Sequence, residues 1–277
     1  MKLTIASYNI MHGALSNYDM KKLTESIVSC HADIIGVQEV DVHAKRSGNR
    51  DIAAMMAQEL GYYVEFARAL DFQGGMYGTA ILSRYPIENF VCYPLQSGKY
   101  EQRSAGGAQI CIGEEKVFFW NTHLSYENKE QRQAQLDQLK SLLPQNAPWV
   151  LTGDFNTADF NELRALGAVS LVNDFDRVHN TFRDSGSPID NIVYTVPWRV
   201  LASGIIDNDH SDHNLLYAVM EFDVQITNFQ HQPTPFSRRC RPSPMRPTLN
   251  TSSTMAPPVP RAYHGARRNM PCASESI

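Results

Sequence analysis

The chain has 277 residues, 43% hydrophobic and 19% charged, and no apolar run near the ~20 residues of a membrane-spanning helix. Residues 224–277 hold seven Arg, no Lys and one Glu, so residues 1–223 carry 18 basic and 28 acidic groups, a formal charge of −10. Such a body repels polyanions as a whole and disfavours nucleic acid as a partner, although a local basic strip is compatible with it.

In chain order, Leu3–Tyr8 is the first strand-like run, and Asn9 ends it. Met20, Leu23, Ile27 and Val28 follow the helical period, with Asp19 placed to cap. Ile34–Gln38 reads as a strand that ends on Glu39. Ile52, Met55, Met56 and Leu60 predict a second helix, stopped by Gly61. Strands are then expected at Tyr62–Phe66, Thr79–Ser83, Phe90–Tyr93, Ala108–Ile112 and Val117–Asn121, the last leading to His123. Glu127–Leu143 is the longest helical pattern, and Pro144 ends it. Trp149–Thr152 leads to Asp154 and Asn156. Asp190 precedes Asn191–Tyr194, Val200–Ala202 follows, and Asp212 and His213 precede Leu215–Phe222. Short strands interrupted by fewer helices predict a layered α/β protein with two sheets.

Residues 224–277 are rich in Pro, Ser, Thr and Arg and have no sustained period. They are expected to be a disordered tail behind a domain spanning 1–223. The first strand-like run begins at Leu3, so no signal peptide is expected. Cys30, Cys92 and Cys111 lie in apolar contexts, and no CxxC spacing suggests zinc. A cytoplasmic monomer is the expectation.

Polar residues at the ends of so many apolar runs carry a chemical meaning. Burying them unpaired costs several kcal/mol each, whereas a hard-metal site with an acid/base pair gives a reason for them. Asp154 and Asn156 are two apart, so in extended backbone both side chains point one way and hold an attacking water. Glu39 is a candidate ligand for Mg²⁺ or Mn²⁺. Asn9 is placed to reach the same ion or its ligands. Asp190 is placed to accept from one ring nitrogen of His213 and fix its tautomer. Each residue also has a plainer reading: Asn9 and Asp190 as turn formers, Glu39 as a surface acid and His123 as a core histidine. Asp154 with Asn156 reads equally as an Asx turn, and Asp212 with His213 as a strand cap.

The segments SYNIMHG, GVQEVD, YGTAILSRYPI, NTHLS, LTGDFN, IDNIVY and SDHNLL, in this order, resemble the successive motifs of the endonuclease/exonuclease/phosphatase superfamily. The resemblance covers about residues 1–222. It implies a four-layer α/β sandwich with two packed central β-sheets, DNase I-like, and Mg²⁺- or Mn²⁺-dependent cleavage of a phosphoester. It further implies that Glu39, with Asn9 and Asp212, holds the metal. Asp154 and Asn156 then activate the water, and His213, oriented by Asp190, acts as general base or phosphate-stabilising group. His123 binds a phosphate oxygen or protonates the leaving oxygen. Both imidazoles are expected to face a solvated cleft. The family usually places Pro after the terminal Asp-His, where this chain has Asn214.

Arg84 and Arg103 are secondary candidates for binding phosphate, and Arg84 reads better as an internal ion-pair partner. The Gly-rich segments Arg68–Tyr77 and Leu95–Gly107 are expected to form a substrate rim. A small or lipid-like phosphoester is the expected substrate, with a nuclease as the alternative. Lys45, Arg46, Arg50 and Arg84 are too few and scattered to make a persuasive basic strip.

Overall fold

Alternation along the first strand already assigns two faces. In the computed structural model, which describes residues 1–222, β1 (Lys2–Asn9) sends Leu3 and Ile5 into one core and Ala6 and Tyr8 into another. A strand covered on both sides needs apolar residues at both parities, and β1 has them. The same holds for β2 (Ile34–Val42), β7 (Glu115–His123) and β8 (Trp149–Asp154). The expected tail, together with Asp223, lies outside the described residues.

Eight more strands complete two sheets: β3 (Tyr63–Phe72), β4 (Gly75–Ser83), β5 (Ile87–Pro94), β6 (Ser104–Ile112), β9 (Ser170–Leu171), β10 (Asp190–Tyr194), β11 (Trp198–Ile206) and β12 (Leu215–Phe222). The first sheet has the order β11-β12-β1-β2-β4-β3 and the second β5-β6-β7-β8-β10-β9. Their facing surfaces enclose Ile5, Ile34, Phe119, Val150, Ile192 and Leu216. Helices α1 (Met20–Ser29) and α2 (Ile52–Leu60) cover the outer face of the first sheet. Helices α3 (Lys129–Leu142) and α4 (Phe160–Leu163) cover that of the second. The result is the four-layer α/β sandwich implied by the motifs.

Helix starts follow cap chemistry. Asp19, Asp51, Asn128 and Asp159 each accept from a backbone N–H in the first turn of α1, α2, α3 and α4. Asn128 moves the start of α3 two residues beyond the expected Glu127. β9 and α4, both very short, have no counterpart among the predicted elements. The segment Arg68–Tyr77, expected to form a substrate rim, is a hairpin. Gln73 and Gly74, at φ 47° and 83°, make its two-residue turn, so β3 and β4 extend almost to the tip.

Register between strands places the site. β1 and β2 are parallel with Ile5 opposite Ile34, Ser7 opposite Gly36 and Asn9 opposite Gln38. β7 and β8 are parallel with Phe119 opposite Val150, Asn121 opposite Thr152 and His123 opposite Asp154. All these positions share the parity that faces the other sheet. The space between the sheets therefore changes character in three steps. It is apolar at Ile5 and Phe119, a small polar layer at Ser7 and Asn121, and a chemical site at Asn9 and His123.

The polar layer is tightly connected. Asn121 Nδ2 donates across to Val37 O at 3.0 Å and Ala80 O at 2.9 Å. Its Oδ1 accepts from Gln38 Nε2 at 2.7 Å and Thr152 Oγ1 at 3.0 Å. Both donor hydrogens and both lone pairs of the amide are thereby used. Gly36 leaves the necessary room, since a Cβ there would stand 1.9 Å from Thr152 Oγ1 and 2.4 Å from Asn121 Oδ1.

Candidate active site

Asp154 ends β8 and is the hub of the site. Its register partners are His123 on one side and Asp190, at the start of β10, on the other. Asp154 Oδ2 accepts from Asn9 Nδ2 at 3.0 Å, across the gap between the sheets. Oδ1 accepts from the backbone N of Asn156 at 3.0 Å. The Nε2 atoms of His123 and His213 lie 3.5 Å and 3.7 Å from Oδ2. Burial first, and then the nearby Asp190 carboxylate, push the Asp154 carboxyl up to about 7.

The extended geometry expected through Asn156 does not persist. β8 stops at Asp154, and Asn156 adopts φ 52°, in the left-handed region that Asn tolerates. The backbone bond to Asp154 Oδ1 is an Asx turn, which explains the reversal. The Asn156 side chain still enters the site. Its Nδ2 donates to Leu124 O at 2.9 Å and lies 3.1 Å from His123 Nε2.

Glu39 is placed by a β-bulge. The β2–β4 register shifts between Val37 and Val40, and Glu39 sits inside it at φ 55°. For a residue other than Gly this conformation is strained, and it turns the side chain out of strand alternation. Glu39 Oε1 accepts from Asn9 Nδ2 at 3.1 Å. Asn9 thus uses its amide hydrogens on Glu39 and Asp154, and its Oδ1 accepts from Met11 N at 3.0 Å. Burial raises the Glu39 carboxyl above its ordinary range, and the Asp212 carboxylate adds to the shift.

Asp190 and His213 form a buried pair, with Asp190 Oδ2 2.7 Å from His213 Nδ1. Burial alone would keep this imidazole neutral. The carboxylates of Asp190, Asp154 and Asp212 outweigh it and raise His213 to about 10. Ser211 fixes the loop by donating to Asn9 O at 2.7 Å and accepting from His213 N at 3.2 Å. Phe182 packs against the His213 ring at 5.0 Å between centroids. Both imidazoles are buried, at 5% and 3% exposed, and not openly solvated as expected.

Glu39, Asp154, Asp212, His123, Asn156 and His213 line one cleft of about 380 Å³. Four carboxyl side chains line this cavity; Glu101 is paired with Arg103, and the other three repel one another. The donors are all hard oxygens, which suits Mg²⁺ or Mn²⁺. Glu39 accepts from the neutral Asn9 amide, and burial raises its carboxyl. These residues therefore fit a divalent cation. A second set of donor atoms, on Asp154, Asp190 and His213, lies within 4.8 Å of one another. That set is already satisfied in part, because the Asp190–His213 hydrogen bond occupies Nδ1.

Arg103 lies in the cleft wall, whereas Arg84 pairs with Asp33 at 3.2 Å and lies outside it. Among the four scattered basic residues, Arg46 reaches the cleft. It is held by two bonds to the buried Asp41 and stacks over Phe72 at 4.4 Å. Tyr126 and Phe182 also line the cleft and carry no local sequence signal, whereas Tyr77 ends the expected rim segment and opens YGTAILSRYPI. Asn121 does carry one, as a polar residue two before His123 on the same strand face.

Among the described residues no helix is long and apolar enough to cross a membrane. The chain is 26% identical over 157 residues to Protein cwh43 of Schizosaccharomyces pombe, an alignment spanning 55% of this chain and 16% of that protein. The fold is similar to an endonuclease/exonuclease/phosphatase from Beutenbergia cavernae (TM-score 0.68, 19% identity, 80% of this chain and 72% of that one). It is also similar to the mannosyl-6-phosphatase Bt3783 of Bacteroides thetaiotaomicron (TM-score 0.62, 18% identity, 79% and 100%). A third neighbour is D. rerio TDP2 complexed with a single-strand DNA product (TM-score 0.63, 17% identity, 79% and 99%). The model of the Endonuclease/Exonuclease/phosphatase family matches residues 6–213, which includes every strand-end residue brought together at Asp154. On that match, this chain belongs to the endonuclease/exonuclease/phosphatase family.

Proposed function

We propose that this family hydrolase cleaves a small or lipid-like phosphoester in a reaction that depends on Mg²⁺ or Mn²⁺. The observation that carries the reading is the convergence on Asp154 Oδ2 of Asn9, His123 and His213, with His213 backed by Asp190. Glu39 and Asp212 would hold the cation, with Asn9 bonded to Glu39 to orient it. The cation, when bound, supplies positive charge against the phosphoryl oxygens.

Asp154 takes the proton of the attacking water. Its carboxyl, near 7, is matched to that task at neutral pH. Asn9 and the Asn156 backbone hold the carboxylate in one orientation, and the Asn156 amide steadies the water or a phosphoryl oxygen. His213, kept charged by Asp190, presents Nε2–H to a phosphoryl oxygen, which supports the stabilising role over that of base. His123 serves the oxygens opposite, as hydrogen-bond donor or as acid to the leaving group.

Support for a small or lipid-like substrate comes from the cleft volume, the aromatic lining of Phe72, Tyr77 and Phe182, and the −10 charge of the body. The mannosyl-6-phosphatase neighbour is compatible with it. The TDP2 neighbour, complexed with DNA, favours the second reading of a nuclease. A substrate panel decides: p-nitrophenyl phosphate, bis-p-nitrophenyl phosphate, a sugar phosphate, a phospholipid and a single-stranded oligonucleotide, each with Mg²⁺, Mn²⁺ or EDTA. Turnover of the small or lipid esters that EDTA abolishes is expected. Cleavage of the oligonucleotide alone would overturn the substrate class, and full activity in EDTA would overturn the metal dependence.

A further inference from the structure

The two histidines of the cleft face opposite charges. His213 Nδ1 meets the Asp190 carboxylate, whereas His123 Nδ1 meets the Arg103 guanidinium, with Nη1 at 3.0 Å. Arg103 is 3% exposed, and its backbone is tied on both sides: its N donates to Ser97 Oγ at 3.0 Å and its O accepts from Leu95 N at 2.8 Å. Nη1 also pairs with Glu101 Oε1 at 2.9 Å, and Tyr77 accepts a bond from the same side chain. The guanidinium is therefore held beside the ring through Nη1, while its Nε is buried without a partner.

A guanidinium has only N–H groups to offer and does not lose its proton in proteins. The ring nitrogen facing it must present a lone pair. We propose that Arg103 is a positioning residue that holds His123 as a neutral imidazole with its proton on Nε2. His123 then acts as a hydrogen-bond donor to a phosphoryl oxygen and not as the acid that protonates the leaving group.

Of the other groups facing His123, the Asp154 carboxyl agrees, and the Asn156 amide opposes as a neutral donor that counts for less than the charged guanidinium. Asp154 Oδ2, 3.5 Å from Nε2, is an acceptor for that proton. Burial first, and then the charges of Arg103 and His213, depress the ring's affinity for a second proton. Tyr77 is neutral, with its hydroxyl pushed to a high value by burial. Asn156 Nδ2, 3.1 Å from Nε2, is held there by its bond to Leu124 O. In the absence of substrate, Nε2–H thus faces another N–H donor and one distant carboxylate. The best acceptor for it is an incoming anionic oxygen, so the donor is left unspent until substrate arrives. A neutral imidazole N–H is far too weak an acid to release a proton to a leaving oxygen near neutral pH. The role in catalysis rests on the phosphoester reading above, and the protonation state does not.

Nitrogen-15 NMR of the histidine side chains tests this on the whole chain without substrate or metal, with His123 assigned by the signal missing in His123→Gln. Each neutral tautomer and the imidazolium give distinct ring-nitrogen patterns. The wild type is expected to show Nε2–H with an unprotonated Nδ1 from pH 5.5 to 8.5. In Arg103→Met, His123 should gain a titration within that window or populate the Nδ1–H form. Arg103→Lys, which restores one charged donor, should return it to the Nε2–H form. An Nδ1–H tautomer or an imidazolium in the wild type at pH 7 overturns the proposal. So does an unchanged His123 pattern in Arg103→Met. Should Arg103→Met fail to fold, the wild-type and Arg103→Lys spectra still decide. Where the substrate panel gives activity, Arg103→Met should lower turnover about 10–100-fold. It should also add an ionisation to the pH profile of kcat that Arg103→Lys lacks. An inactive protein with the expected tautomer would sink the phosphoester reading and leave this assignment standing.

Discussion

Asn9 Nδ2 and Asp154 Oδ2, 145 residues apart, are joined by a 3.0 Å hydrogen bond from the last residue of β1 to the last residue of β8. Each strand belongs to a different sheet, so this bond ties the two halves of the sandwich at the floor of the cleft. Asn9→Ala would leave a buried carboxylate short of a donor. We expect a loss of about 1–3 kcal/mol in urea unfolding and a fall in turnover larger than the change in KM. Unchanged turnover would show that the bond is structural only.

Gly36 tests the polar layer beneath. A methyl group at this position would meet Thr152 Oγ1 and Asn121 Oδ1, both held by other bonds. Gly36→Ala should destabilise the protein by about 1–3 kcal/mol, the usual range for overpacking a filled core. It should also lower turnover, because the displaced side chains stand directly under Asp154 and Gln38. A thermal melt matching wild type would mean that the sheets separate here at little cost.

His123 and His213 should act as one unit. Substituting either by Ala is expected to lower single-turnover rates by about 10²–10⁴-fold. The pair should lose much less than the product of the two losses. Both rings are buried, so some stability is lost as well, and rates are to be compared at a temperature where all variants are folded. Wild-type turnover in His123→Ala would remove this residue from the chemistry.

Glu39→Gln separates metal binding from folding. The buried carboxylate is held above its ordinary range, so the neutral isostere should leave the metal-free protein as stable or more stable. It should raise the Mg²⁺ concentration for half-maximal activity about 10–100-fold. A metal titration identical to wild type would exclude Glu39 as a ligand.

Stability of the metal-free protein should fall as pH rises. An acid raised in the folded state favours folding only while protonated, so the Asp154 contribution declines from its ordinary value near 3.8 up to about 7. A histidine raised in the folded state favours folding fully below its ordinary 6.5, and the benefit disappears by about 10. The two declines run in the same direction in successive windows. Asp190→Asn should flatten the second, between pH 7 and 10, in calorimetric melts with EDTA. Parallel curves for wild type and Asp190→Asn across that window would contradict the charged His213.

Strand-end chemistry is local, and the sequence by itself determined it. Asn9, Glu39, His123, Asp154 and Asp190 each follow or open an apolar run, and dual-parity burial in β1 and β8 already calls for layers on both faces. That Asn9 and Asp154 meet depended on the tertiary structure, because their contact needs two sheets stacked in one register. Glu39 shows the same limit. Its left-handed bulge follows from how β2 pairs with β4, which no property of GVQEVD specifies. The expected rim segment is a hairpin because pairing of β4 with β2 and β3 outweighs its Gly-rich composition. Arg103 is the clearest case. Its sequence context offers a loop arginine with several uses, and only folding sets Nη1 against His123 Nδ1 inside a desolvated wall. Protonation states depend on burial and on charges brought together through space, so they arise with the fold and are absent from any stretch of chain read alone.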